Sequence, residues 1–219
     1  MSATADTCHP EADCRLCPRL AEFRDANRKA HADWHNGPVP NFGDATAELL
    51  IVGLAPGLQG ANRTGRPFTG DYAGDLLYET LLAAGLAIGS YERRPDDGLA
   101  LRHCRIINAV RCVPPQNKPT PAEIKTCNRF LLRDMAAMPR LRSVLALGSI
   151  AHDAVLTAGG HKKSAYRFAH GAQHHLPGGL VLTDSYHCSR YNTNTNRLTP
   201  EMFRHAVALA KQAAFHHSS

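Results

Sequence analysis

The sequence predicts an α/β fold in which a parallel sheet of four strands carries helices on both faces. Two observations point there. Four short, almost wholly apolar runs recur along the chain, and segments with helical periodicity or helix-start signals separate them. Unbroken apolar runs suit strands that are covered on both sides. No internal repeat and no linker to a second domain is visible. Residues 14–219 therefore read as one domain, preceded by a loose polar segment at 1–13.

In chain order, residues 16–34 place Leu16, Leu20, Phe23 and Ala26 or Ala30 at helical spacing among charges, and Asn36-Gly37-Pro38 ends that helix. The first strand is the run at 48–54, closed by Ala55-Pro56-Gly57. A polar loop bearing Gly57, Gly60, Gly65, Gly70 and Gly74 follows, then a helix over 75–87. The second strand is expected at 104–110. Pro114, Pro115, Pro119 and Pro121 stiffen the next loop, and Thr120 with Glu123 three positions on forms a capping box that starts a helix running to Met138. Residues 143–147 are the third strand and 150–158 a helix. Gly178-Gly179 leads into the fourth strand at 180–183, and a loop at 184–198 precedes a closing helix at 200–215.

In such sheets ligands bind at the carboxyl ends of the strands. The loops 55–74, 111–119 and 184–198 all leave from those ends, which locates the expected site.

Composition narrows the class. Lys and Arg total 25 against 19 Asp and Glu, a formal charge of +6, with thirteen His in reserve. That excess favours a polyanionic partner. No apolar run approaches the roughly 20 residues of a membrane span, and residues 1–10 lack the layout of an export signal. A soluble, cytoplasmic protein is expected, with a monomer as the default. The chain has seven cysteines, an odd number, and metal or catalytic use is favoured over a disulfide framework.

Cys14 and Cys17 form a C-x2-C pair at the mouth of the first helix. Cys112 follows the second strand, and Cys127 lies in the next helix. Two thiolates from one turn and two from elsewhere can complete a four-thiolate site, and spacing alone does not separate zinc from an iron–sulfur cluster. Cys104, in an apolar strand, reads as core, and Cys8 has no evident role.

The loop 53–71 lacks the Gly-Lys-Ser/Thr ending of a P-loop and does not read G-x-G-x-x-G. What it offers is exposed backbone at a strand end, the carboxylate of Asp71 and the ring of Phe68, flanked by Arg63 and Arg66. The loop from Ser185 to Arg197 is dense in short donors around His187, a composition suited to phosphates and sugars. No G-x-S-x-G elbow supports a serine hydrolase built on Ser189.

Together these loops resemble the uracil-DNA glycosylase superfamily, and within it the family-5 (type B) branch. The resembling residues are Gly53-Leu54-Ala55-Pro56-Gly57, the run from Gly60 to Asp71, Asn117-Lys118-Pro119-Thr120-Pro121, His187-Cys188-Ser189 with Asn192, and Arg197-Leu198-Thr199. The four-cysteine spacing fits as well. The resemblance implies a three-layer α/β/α fold and a [4Fe–4S] cluster on Cys14, Cys17, Cys112 and Cys127. One departure is that the family's last motif is usually His-Pro-Ser. Here Cys188 replaces the proline, which removes a fixed φ beside His187 and places a thiol open to oxidation there if it is exposed.

The implied activity is monofunctional excision of uracil, and of other deaminated bases such as hypoxanthine, from DNA. The nucleotide is flipped out into a pocket of Gly53, Ala55, Pro56, Gly57, Phe68 and Asn117, with Phe68 stacking and Asn117 reading the base edge. His187 stabilises the departing base and Asp71 handles the water, since Ala55, Pro56 and Gly57 offer no polar group for it. Arg63, Arg66, Ser189, Arg190, Asn192 and Arg197 are the expected DNA contacts, and Tyr191 a candidate wedge. The alternatives are an iron–sulfur protein that binds uracil-containing DNA with little turnover, and a zinc-stabilised nucleic-acid module without chemistry.

Overall fold

The computed structural model describes residues 9–215. Cys8 and most of the segment expected to be loose lie outside them. The part of that segment within them, 9–13, is tied down: a His9 ring nitrogen lies 3.2 Å from the Pro38 carbonyl, and Asp13 accepts from Arg28 at 2.5 Å.

The elements are α1 (Pro18–Ala30), β1 (Leu49–Gly53), α2 (Ala61–Thr64), α3 (Tyr72–Ala83), β2 (Ala87–Ile88), β3 (Ala100–Leu101), β4 (Cys104–Asn108), α4 (Pro121–Ala136), β5 (Ser143–Leu147), α5 (Ser149–Ala158), β6 (Gln173–His175), β7 (Val181–Ser185), α6 (Arg190–Asn194) and α7 (Pro200–Phe215). The main sheet has five strands in the order β4-β1-β5-β7-β6. The four expected strands pair in parallel, and β6 adds an antiparallel edge against β7. The expectation of four strands is corrected by that edge, whose Gln-His-His sequence carries no apolar signal. A separate two-stranded ribbon joins β2 to β3.

Every residue of β1, β5 and β7 is buried. Alternate side chains go to opposite layers, as the pleat demands. Leu49, Ile51, Leu145 and Leu147 pack with Leu77, Leu81, Phe203 and Val207 of α3 and α7. Leu50, Val52, Val144 and Ala146 pack with Leu131, Ala151, Val155 and Leu156 of α4 and α5. This is the three-layer architecture. The predicted capping box starts α4: Thr120 Oγ1 accepts the Glu123 N–H, and the Glu123 carboxylate accepts the Thr120 N–H at 2.7 Å.

Two buried polar knots brace the loops. Arg111 and Asp134, each about 1 % exposed at the side chain, form an ion pair beside Asn41. Arg66 makes a two-pronged pair with Asp97 at 2.7 and 2.8 Å, under the rings of Phe42, Tyr78 and Tyr91. Arg66, expected to touch DNA, is therefore corrected: at 5 % exposure it is a core residue. A guanidinium fork, with its weak hydration and flat face, suits such a place better than an ammonium would.

Candidate active site

The carboxyl ends of β1 and β4 and the loops after β1 and β7 enclose a pocket of about 300 Å³. Its walls are Leu54, Ala55, Pro56, Gly57, Ala61, Phe68, Asp71, Ala73, Asn108, Asn117, His187, Ser189 and Arg190. Sequence elements 130 residues apart thus meet because β1 is central and β7 lies one strand away across β5.

Gly53 does not line the pocket; it makes room for what does. A Cβ there would stand 2.5 Å from Asn108 Oδ1 and 2.6 Å from the Phe68 ring. Phe68 itself has φ of 53°, a strained value for a bulky residue. The surroundings hold it: Tyr91 donates to its carbonyl at 3.1 Å and Tyr78 donates to that of Pro67 at 2.5 Å. The backbone of Gly74 packs so tightly on the Phe68 carbonyl that a Cβ would come within 1.7 Å.

Asp71 is the N-cap of α3, accepting from the Gly74 N–H at 3.3 Å through Oδ1. Its Oδ2 nestles against the backbone of Gly57 and Gly60, 2.9 and 2.4 Å from where their Cβ atoms would be. Burial raises its pKa above the ordinary carboxylate value, outweighing the backbone hydrogen bonds that oppose the rise.

His187 lies across from Phe68, half-buried. Desolvation lowers its pKa to about 4, so at neutral pH the ring is an uncharged imidazole. Its backbone is fixed by Asn192, whose side chain donates to the His187 carbonyl at 2.8 Å, and Ser189 caps the helix on which Asn192 sits. Cys188 points the other way and is fully buried in the core cluster. Burial pushes its thiol far up, which shields it from the oxidation that an exposed thiol would invite.

The expected base-reading amide, Asn117, is exposed at the rim, with φ of 57° beside Gln116 at 55°. The buried amide is Asn108, at the end of β4. It is 3 % exposed, and its Oδ1 has no hydrogen-bond partner. Sequence reasoning missed it because a single Asn closing an apolar run reads as a strand end. The available signal was an amide inside a strand expected to be buried on both faces.

Arg190 sits on the rim with its guanidinium 5.2 Å from the Tyr72 ring centre, and Tyr191 beside it is 72 % exposed. Arg197 stacks at 4.6 Å on Tyr186. Arg63 is exposed in a neighbouring groove with Trp34, Arg93 and Arg94. Neither Arg63 nor Arg197 lines the pocket.

Cys14, Cys17, Cys112 and Cys127 line a second, largely apolar cleft with Leu20, Val110 and Phe130. All four are free thiols, and the Arg111 N–H donates to the Cys127 sulfur at 3.4 Å. Burial pushes the Cys17 thiol up to about 11 and that of Cys112 up to about 12. Among the described residues, only His152, His174 and Asp184 bring three ligand atoms within 4.8 Å of one another. Four sulfur donors in an apolar wall suit an iron–sulfur cluster, and a structural zinc ion as well.

A sequence profile of the Uracil DNA glycosylase superfamily matches residues 40–211. The chain is 48 % identical over 207 residues to a type-5 uracil-DNA glycosylase of Thermus thermophilus, covering 92 % of this chain and 94 % of that one. It is 43 % identical over 209 residues to a type-5 uracil-DNA glycosylase of Mycobacterium tuberculosis, covering 90 % and 78 %. A type-4 uracil-DNA glycosylase of Archaeoglobus fulgidus is 38 % identical over 114 residues, covering 52 % and 49 %.

Proposed function

The chain belongs to the uracil-DNA glycosylase superfamily and is an enzyme that removes uracil from DNA, and we propose that His187, Asp71, Phe68 and Asn108 are the residues that do it. The observation that carries this assignment is the pocket itself. It sets an uncharged imidazole, a desolvated carboxylate, a fixed aromatic face and a buried amide with an unpaired Oδ1 around one cavity of about 300 Å³.

A base within a duplex is out of reach, so the nucleotide turns out of the stack, at a cost of a few kcal/mol. Phe68 supplies a face for the extruded base in place of its lost neighbours. Asn108 accepts from N3–H of uracil through Oδ1 and donates to O4 through Nδ2. As the N-glycosidic bond lengthens, negative charge gathers on the base and positive charge on the sugar. Neutral His187 donates an N–H to the base carbonyl oxygen and needs no proton from solvent to do so. Asp71 orients the water, takes its proton and offsets the sugar's charge; its raised pKa makes it the stronger base.

The walls at Ala55, Gly57 and Ala61 are small. Hypoxanthine presents N1–H and O6 in the same donor–acceptor order as N3–H and O4 of uracil, so the pocket accepts it too. Asn117, Ser189 and Arg190 stand at the mouth for the flanking backbone, Arg63, Asn192 and Arg197 carry the surface around it, and exposed Tyr191 fills the gap in the stack.

Cys14, Cys17, Cys112 and Cys127 hold a [4Fe–4S] cluster in this reading. When bound it supplies cross-linking of α1, the loop after β4, and α4, in a role that is structural rather than catalytic. No helix among the described residues is long and apolar enough to cross a membrane, and we place the enzyme in the cytoplasm as a monomer.

The test is a fluorescent oligonucleotide with one uracil, in excess over enzyme, with and without alkali. Alkali-dependent cleavage beyond one turnover supports the assignment. Tight binding without base release would instead favour a protein that holds the lesion.

A further inference from the structure

Helix α1 carries an arginine where its pattern calls for an apolar residue. Its buried face is Leu20, Ala21, Arg24 and Asn27, whereas Phe23 and Ala26, expected there from spacing, are half-buried and exposed. Arg24 is 1 % exposed. One of its donors is accounted for: Nη1 donates to the Cys14 carbonyl at 2.9 Å. Nε and Nη2 are buried without a hydrogen-bond partner. The adjacent carboxylate of Asp25 comes no nearer to Nε than 3.8 Å and already accepts from Arg15 at 2.6 Å. Arg111, the other fully buried guanidinium near the cysteines, has Asp134 to match its charge.

A buried cation with two idle donors is costly unless an anion stands beside it. Arg24 is tied to one cysteine of the second cleft through the Cys14 carbonyl. The guanidinium is thereby held at the C-x2-C turn. Its ion pair with half-exposed Asp25, at 3.8 Å, leaves Nε and Nη2 without a hydrogen bond. A cluster on the four cysteines would bring sulfur acceptors and negative charge to the side of the site where those donors lie idle.

We propose that Arg24 is the charge-compensating residue of the cluster site, its Nε–H and Nη2–H donating to sulfur of a [4Fe–4S] cluster on Cys14, Cys17, Cys112 and Cys127. This rests on the cluster reading given above. Donors and positive charge beside the sulfurs favour the more negative, reduced form and resist loss of iron. Arg24 is thus a positioning residue for the cluster and stands apart from the base pocket.

The experiment begins with protein purified without oxygen, counting iron and acid-labile sulfide. Iron and sulfide in equal amounts, with broad visible absorption, uphold the cluster; zinc, or no metal, overturns it and this inference with it. In loaded protein, R24M is expected to lower the midpoint potential and to bleach under a chelator about tenfold faster than wild type. R24K, which keeps the charge without the fork, is expected to fall between. An unchanged potential and bleaching rate in folded R24M overturns the role of Arg24 and leaves the cluster standing. Arginine-labelled wild-type protein gives a reading that needs no folded R24M. An Nε–H resonance shifted by the paramagnetic centre and absent from R24K supports the contact. An Arg24 Nε–H exchanging with water as fast as an exposed arginine overturns it.

Discussion

The ring of Phe68 faces that of His187 at 5.9 Å between centroids, with 29° between their planes. The stacking surface and the hydrogen-bond donor assigned to the leaving base are thereby locked to each other across two loops. Truncating the ring by Phe68→Ala removes a base–aromatic contact of about 1–3 kcal/mol and frees the imidazole to tilt. Single-turnover excision of uracil is expected to slow by about tenfold or more, with fold retained by circular dichroism. A rate within twofold of wild type would separate Phe68 from the chemistry.

The pH profile distinguishes the two side chains proposed for the chemistry. His187, with its pKa lowered to about 4, stays neutral through the range where an ordinary histidine titrates. No change in rate is expected near pH 6.5 from this ring. Asp71 has a raised pKa, so it takes up a proton as pH falls before an exposed carboxylate would. The acid limb of kcat/KM is therefore expected above the ordinary carboxylate value, and Asp71→Asn abolishes it along with most of the rate.

The same substitution tests stability with the opposite sign. A carboxyl whose folded pKa exceeds its unfolded value loses stability as pH rises through that interval, because ionisation is disfavoured in the fold. Asn caps a helix about as well as Asp. Asp71→Asn is expected to leave Tm at pH 7 unchanged or raised while activity collapses. A drop in Tm of several degrees would mean that the carboxylate is chiefly structural.

Asn108→Leu leaves the pocket's shape nearly intact but removes its buried amide. A site built to bond a polar edge loses discrimination of about 10⁴ when that pairing goes, and uracil excision is expected to fall by at least 100-fold on that scale. Asn117→Ala, at the exposed rim, is expected to cost less. The reverse order of losses, measured on one oligonucleotide, would return base reading to Asn117.

Arg66 and Arg190 were alike in sequence and differ in the fold. Arg66→Ala leaves Asp97 buried with its partner gone, at a cost of about 3–5 kcal/mol, read as a lowered denaturation midpoint. Arg190→Ala is expected to spare stability and reduce the salt slope of DNA binding by about one. A lowered midpoint for Arg190→Ala would contradict its placement at the rim.

The sheet was legible because β1, β4, β5 and β7 are dense apolar runs, and the α4 boundary because Thr120 and Glu123 form their cap within four residues. The edge β6 was not, since Gln173, His174 and His175 owe their pairing to β7 rather than to any pattern of their own. Asp71 and His187, which the fold brings to one pocket, stand in local motifs after strands and so were visible in the sequence. Arg66 was misplaced because its partner Asp97 lies 31 residues away, a distance at which charge pairing leaves no mark on spacing. Arg24 escaped because helical spacing put Phe23 and Ala26 on the buried face, whereas the helix turns Leu20, Ala21 and Arg24 inward.

Cys188 is sunk in the same apolar cluster as Leu145, Phe203 and Val207, and His187 precedes it directly. The donor assigned to the leaving base is thus moored to the interior by its neighbour, where the related motif relies on the stiffness of a proline. This stretch of loop is expected to loosen on heating together with the interior to which Cys188 fastens it. Irreversible loss of catalysis on warming should coincide with cooperative melting of the whole domain, with no range of temperature in which a folded but inactive form accumulates.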